Sequence, residues 1–234
     1  MSIVIINIKE LLQVRKTNVM IVKGKDMKVL PTLKNAYVLI EHDTIVEYGS
    51  MDDYPGYESE TTIDATGKTV LPAWCDSHSH LVYAGDRSQE FVDRINGLSY
   101  EDIAVRGGGI LNSAETLQQT SEEELYQQSS DRLNAIIKLG TGAIEIKSGY
   151  GLSVDAELKM LRVIRRLNRE SKAKIKATLL AAHAIPKEFK NNKSGFLNFV
   201  VNELIPEVEK QRLAEYIDVF CEKGYFSLED TERV

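Results

Sequence analysis

From residue 71 onward the sequence alternates short apolar runs with longer amphipathic ones, and this rhythm restricts the fold more than any other feature. The first run closes in Leu71-Pro-Ala-Trp-Cys-Asp-Ser-His-Ser-His80, and the second is Thr141-Gly-Ala-Ile-Glu-Ile-Lys-Ser148. The third is Ile175-Lys-Ala-Thr-Leu-Leu-Ala-Ala182, ending at His183, and the fourth is Tyr216-Ile-Asp-Val-Phe-Cys221. Helical patterns separate them. One opens at Ser121, with Glu124 at capping-box spacing and Gly140 just past its end. Another opens at Ser153, carries Asp155 and Glu157 in its first turn, and repeats Leu158, Leu161, Ile164 and Leu167 as a buried stripe. A third pattern covers roughly 194 to 213, with Pro206 placed to kink or divide it. Strands alternating with helices predict βαβ units and a parallel sheet.

Residues 1–70 read differently. Ser2-Ile-Val-Ile-Ile6 is strand-like, and Ala36-Tyr-Val-Leu-Ile40 and Thr44-Ile-Val-Glu-Tyr48 flank a turn at Glu41-His42-Asp43, a hairpin pattern in which His42 is solvated. The expectation is a small β-sandwich-like domain over 1–70 and an α/β domain over 71–234. Ser227-Leu-Glu-Asp-Thr-Glu-Arg-Val234 reads as the first turns of a helix. The α/β part has room for about four strand–helix units, whereas a closed eight-stranded barrel takes about 250 residues. It is therefore either a small open sheet or the front part of a longer (β/α) barrel. The second is expected, because a four-stranded remnant exposes unpaired parallel edges.

Charge and composition narrow the function classes. A net charge of −6 argues against a nucleic-acid or anionic-membrane surface. No apolar run reaches the roughly 18–20 residues of a membrane span, and the N-terminus lacks the pattern of a signal peptide. Cys75 and Cys221, far apart in apolar runs, are expected to be buried, reduced thiols of a cytoplasmic protein.

The chain has four histidines, and two of them stand one residue apart at a strand end. Residues two apart on a strand point to one side, so His78 and His80 aim their imidazoles together, a geometry for chelating one divalent ion. Asp76 on the same face is a candidate supporting partner for the imidazoles. Arg87 suits a substrate carboxylate through two parallel hydrogen bonds. Tyr150 lies between two glycines directly after the second strand, where its hydroxyl can approach a ligand. His183, at the end of the third strand, is placed to polarise a carbonyl or to move a proton. Glu145 and Lys147 share a strand face and read as an inward polar pair supporting the site. Gly107-Gly-Gly-Ile110 lacks the setting of a phosphate cradle and reads as a loop over the barrel mouth.

The apolar strand ending in Asp76-Ser-His-Ser-His80 after a small β domain resembles the amidohydrolase superfamily of metal-dependent barrel hydrolases. More narrowly, Leu81-Val-Tyr-Ala-Gly-Asp-Arg-Ser-Gln-Glu-Phe91, Gly107-Gly-Gly-Ile110, Glu145-Ile-Lys-Ser-Gly-Tyr-Gly-Leu152, Glu157-Leu-Lys-Met-Leu-Arg162, Ala182-His183-Ala184 and Asp218-Val-Phe-Cys-Glu222 resemble the imidazolonepropionase family. The resemblance implies a (β/α)8 barrel of which about the first four units lie here. It also implies hydrolysis of the cyclic amide of 4-imidazolone-5-propanoate to N-formimidoyl-L-glutamate. One zinc or iron ion would be held by His78 and His80, and Arg87, Tyr150 and His183 would contact the substrate, with His183 catalytic. The remaining metal ligands and the residue activating water would lie beyond Val234, so the segment alone is expected to be inactive, and the full-length protein to be a cytoplasmic homodimer. Ala73-Trp74 and Ser79 depart from the commoner superfamily residues without removing a ligand. Two rival readings remain: a nucleobase deaminase of the same superfamily, or a non-catalytic fragment with two ligands only.

Overall fold

The computed structural model describes residues 1–15, 19–86, 88–99, 102 and 109–234. The chain divides into two compact units, Met1–Ala73 and Trp74–Val234.

The first unit is one mixed sheet of five strands: β1 (Ser2–Leu12), β2 (Thr32–Glu41), β3 (Thr44–Ser50), β4 (Thr61–Asp64) and β5 (Thr69–Val70). β2 and β3 form the hairpin expected around His42, which is exposed and takes φ 57° at the turn. β2 runs antiparallel to β1, whose other side pairs in parallel with β4 and β5. Ile8, Leu11, Ala36, Val38 and Ala65 form its buried cluster. No second sheet faces this one among the described residues of the unit.

The second unit holds a four-stranded, wholly parallel sheet in the order β6 (Trp74–Ser79), β7 (Thr141–Lys147), β8 (Lys174–Ala182), β9 (Tyr216–Val219). Helices α1 (Ser88–Ile95), α2 (Ile110–Gln119) and α3 (Glu122–Lys138) lie between β6 and β7, and α4 (Val154–Glu170) joins β7 to β8. The Ser121 hydroxyl caps α3 by accepting from the Glu124 amide, and Ser153 caps α4 by accepting from the Ala156 amide. The α4 stripe of Leu158, Leu161, Ile164 and Leu167 is buried, as its spacing predicts. Between β8 and β9 the helical stretch is divided as expected near Pro206: α5 (Lys193–Phe199), a π turn over Val200–Leu204, then α6 (Ile205–Gln211). The final helix α7 (Leu228–Arg233) begins with a reciprocal Ser227–Asp230 capping box.

Two expectations need correction. The fourth strand ends at Val219 rather than Cys221, because the amides of Cys221 and Glu222 bond back to the Val219 and Phe220 carbonyls and turn the chain. Cys75 and Cys221 are free thiols, yet both are exposed rather than buried. An apolar run buries its residues only where the sheet has a neighbour beyond it. Cys75 lies on edge strand β6, and Cys221 just past edge strand β9. No helix among the described residues is long and apolar enough to cross a membrane.

Candidate active site

At the C-terminal ends of β6, β7 and β8 the parallel register brings three segments together. His78 is on β6 and His80 follows it, the Gly149–Leu152 loop follows β7, and His183 follows β8. The rings of His78 and His80 are 5.5 Å apart, those of His80 and Tyr150 5.2 Å, and those of Tyr150 and His183 5.4 Å. His183 also stacks on His80, with centroids 5.1 Å apart and planes 16° from parallel. Phe220, just past β9, closes on His183 edge-to-face at 5.6 Å. A cavity of about 260 Å³ opens beside this group, lined by His80, Tyr83, Ala84, Asp86, Ser113 and Tyr150. Four sequence-predicted residues, His78, His80, Tyr150 and His183, are thus gathered. Arg87 lies outside the described residues, as do Gly107 and Gly108 of the expected mouth loop.

The electrostatics suit a ligand set of neutral imidazoles. His80 is pushed down to about 4 by burial, helped by the neighbouring His183 and His78 rings, so its ring is neutral at pH 7 and one of its two nitrogens is bare. Its buried Nδ1 atom has no hydrogen-bond partner, an orphan that costs free energy until something meets it. A ring bound to zinc through nitrogen at 2.0–2.1 Å has its centre about 3 Å from the ion. The 5.5 Å separation of the two rings therefore fits two positions on one ion. No group of three or more His, Cys, Asp and Glu side chains gathers for a metal among the described residues. Asp76 does not support an imidazole; its carboxylate accepts from the backbone amide of His78 at 3.2 Å.

His183 has a defined chemical capacity. Its Nδ1 lies 3.1 Å from the Gly149 carbonyl oxygen, which can only accept, so Nδ1 carries the proton. Burial holds the ring below the ordinary histidine range, so the neutral form dominates at pH 7 and Nε2 is a bare acceptor. This tautomer takes up a proton; it has no N–H left to polarise a carbonyl.

Beneath the histidines lies an ion network in which Lys147 is buried, Glu145 mostly so and Asp218 half-exposed. The Lys147 ammonium bonds Glu145 at 2.6 Å and Asp218 at 2.9 Å, and the Thr178 hydroxyl donates to the same Glu145 oxygen. Burial alone would lower the lysine, but the two carboxylates outweigh it and hold Lys147 above its usual range. Removing the cation leaves the mostly buried Glu145 carboxylate without its ion partner, beside the half-exposed Asp218. Lys147→Met is expected to lower unfolding free energy by about 3 kcal/mol in urea titration. An unchanged midpoint would show that the network is solvated rather than buried.

Two residues with a part in the site were not singled out for it from sequence. The Arg132 guanidinium donates to the Leu81 and Tyr83 carbonyls at 2.9 and 2.8 Å and lies 3.6 Å over the Tyr83 ring, bracing the segment after His80. Glu157, read from sequence as an ordinary first-turn acid, is almost wholly buried behind the Gly149–Leu152 loop. A signal was present: Glu157 falls one turn before Leu161 on the buried stripe of α4, where a charge needs partners.

No family model matches the chain. A Christiangramia forsetii protein named imidazolonepropionase is 62% identical over 234 residues, covering all of this chain and 57% of that protein. The Flavobacterium johnsoniae protein of the same name is 57% identical over 228 residues, covering 97% of this chain and 56% of its own. The sequence is that of the imidazolonepropionase family. A more distant member from Clostridium tetani is 41% identical over 214 residues, covering 90% of this chain and 51% of that protein. The chain therefore spans about half the length of the curated imidazolonepropionases it matches. Among solved structures, the triazine hydrolase from Arthobacter aurescens superposes with TM-score 0.60 at 13% identity, covering 99% of this chain and 49% of that one. An E. coli guanine deaminase superposes with TM-score 0.56 at 10% identity, covering 90% and 42%. At such identities the likeness extends to the fold alone.

Proposed function

We propose that this sequence forms the front part of an enzyme that hydrolyses the cyclic amide of 4-imidazolone-5-propanoate to N-formimidoyl-L-glutamate. The observation that carries the reading is the 62% identity to an imidazolonepropionase along the whole chain. The gathering of His78, His80, Tyr150 and His183 beside one cavity supports it. In this reading the fold is an amidohydrolase-type (β/α)8 barrel, with further strands and ligands supplied outside these residues.

His78 and His80 would hold one zinc or iron ion. Such an ion supplies Lewis acidity and a water whose pKa falls toward about 7. His183, protonated on Nδ1 against the Gly149 carbonyl, takes a proton on Nε2 as the ring amide is attacked. The Tyr150 hydroxyl contacts the substrate, and Phe220 keeps His183 from turning. Arg87 anchors the propionate, so binding of the tail orients the ring. The free thiols accord with a reducing, cytoplasmic setting.

Arg87→Gln is expected to raise KM by about 10- to 100-fold while kcat changes far less, since it removes charge-assisted hydrogen bonds to a remote carboxylate. Equal kinetics in steady-state assays would remove Arg87 from the substrate site. The reaction itself is tested by assaying the metal-loaded full-length protein for ring opening of imidazolonepropanoate against deamination of guanine and cytosine. Ring opening with no deamination is expected; deamination alone would replace this reading with the nucleobase one.

A further inference from the structure

We propose that Glu157 is a positioning residue that clamps the Gly149–Leu152 loop and so sets Tyr150 and His183 against the histidine pair. The proposal deepens the reading of the same site, and its activity arm rests on that reading.

Glu157 is 2% exposed, on the first turn of α4, and its carboxylate turns back toward the loop. Oε2 accepts from the Gly149 amide at 2.9 Å, and Oε1 accepts from the Gly151 amide at 2.7 Å and the Leu152 amide at 3.1 Å. Three backbone donors around one buried carboxylate form a fixed cradle, and each would be an unmet donor without it. The clamp acts on both neighbours of Tyr150 in the chain. It also fixes Gly149, whose carbonyl meets His183 Nδ1, so it reaches the histidine through a single residue.

The glycines are the other half of the device. A Cβ at Gly151 would stand 2.5 Å from the Glu157 amide nitrogen and 2.9 Å from its Oε1. A Cβ at Gly149 would stand 2.7 Å from the Leu180 carbonyl and 3.2 Å from His183, and Gly149 takes φ +110°. Only bare backbone lets the loop lie this close to both the carboxylate and the histidine. Leu152 also adopts a left-handed conformation, φ 54°, which turns its amide onto Oε1.

The test follows amide hydrogen exchange in the full-length protein, unmodified and as Glu157→Gln, with kcat and KM measured per metal-loaded molecule. Glutamine keeps the shape but sets an amide donor against backbone donors. In the unmodified protein the Gly149, Gly151 and Leu152 amides are expected to exchange at least about a hundredfold slower than unprotected peptide. In Glu157→Gln the amides left facing the side-chain nitrogen, Gly149 alone or Gly151 and Leu152 together, speed up at least about tenfold while Ile146 and Leu179 in the flanking strands do not. kcat falls at least about tenfold with metal content unchanged. Gly151→Ala, which pushes the loop off the carboxylate from the other side, reproduces the pattern if the glutamine variant does not fold.

Free exchange of the three amides in the unmodified protein would overturn the clamp. So would protection lost evenly across β7 and β8, or a loosened loop with unaltered kcat. Exchange that behaves as described in a protein with no ring-opening turnover would leave the clamp standing and refute the reaction instead.

Discussion

His80→Ala in the full-length protein is expected to abolish stoichiometric metal binding and to cut ring opening by at least about a thousandfold. The reasoning is one of coordination. His78 and His80 are the paired imidazoles, 5.5 Å apart, and His80 is kept unprotonated by burial and by its histidine neighbours. With one ring removed, the remaining imidazole binds an ion in competition with water and buffer, which costs far more than half the affinity. His80 packs against Tyr150 and His183, so the melting temperature of the variant is compared with that of the metal-free parent to separate loss of a ligand from loss of folding. Elemental analysis after gel filtration, together with the ring-opening assay, checks this. A variant that keeps both its ion and its turnover would exclude His80 as a ligand.

His183→Asn separates orientation from chemistry. The asparagine amide nitrogen can stand where Nδ1 stands and still donate to the Gly149 carbonyl, while the acceptor at Nε2 disappears. kcat is expected to fall by about a hundred- to ten-thousandfold, the usual range for loss of a positioned proton acceptor, with metal content preserved. His80→Ala and His183→Asn thus predict opposite metal contents beneath a similar loss of rate. Metal loss in His183→Asn would make the third histidine a ligand instead. A kcat within a factor of three would show that proton transfer proceeds without it.

Much of the second unit was legible because period carries burial. The stripe from Leu158 to Leu167 specifies which face of α4 packs, and Ser121 and Ser153 mark their helix starts through hydroxyls that find the expected amides. The two-residue period at β6 likewise joins His78 to His80, whose rings lie 5.5 Å apart. What spacing does not carry is the identity of a partner far along the chain. Arg132 meets carbonyls 51 and 49 residues before it, and Lys147 finds Asp218 across the sheet. The thiols fail for the same reason: whether Cys75 is covered depends on what lies beyond an edge strand, not on its own apolar run. His183 shows a finer limit. Its place at the end of β8 was readable, but the choice between polarising a carbonyl and accepting a proton hangs on one backbone oxygen, that of Gly149.

The most direct measurement is an anomalous-scattering map from crystals of the full-length protein grown with zinc and a substrate analogue bearing the propionate. A single peak bonded to both His78 and His80 at about 2.0–2.1 Å is expected, with Tyr150 and His183 within hydrogen-bonding reach of the analogue. A fully occupied peak held by other residues, with these two imidazoles free, would contradict it.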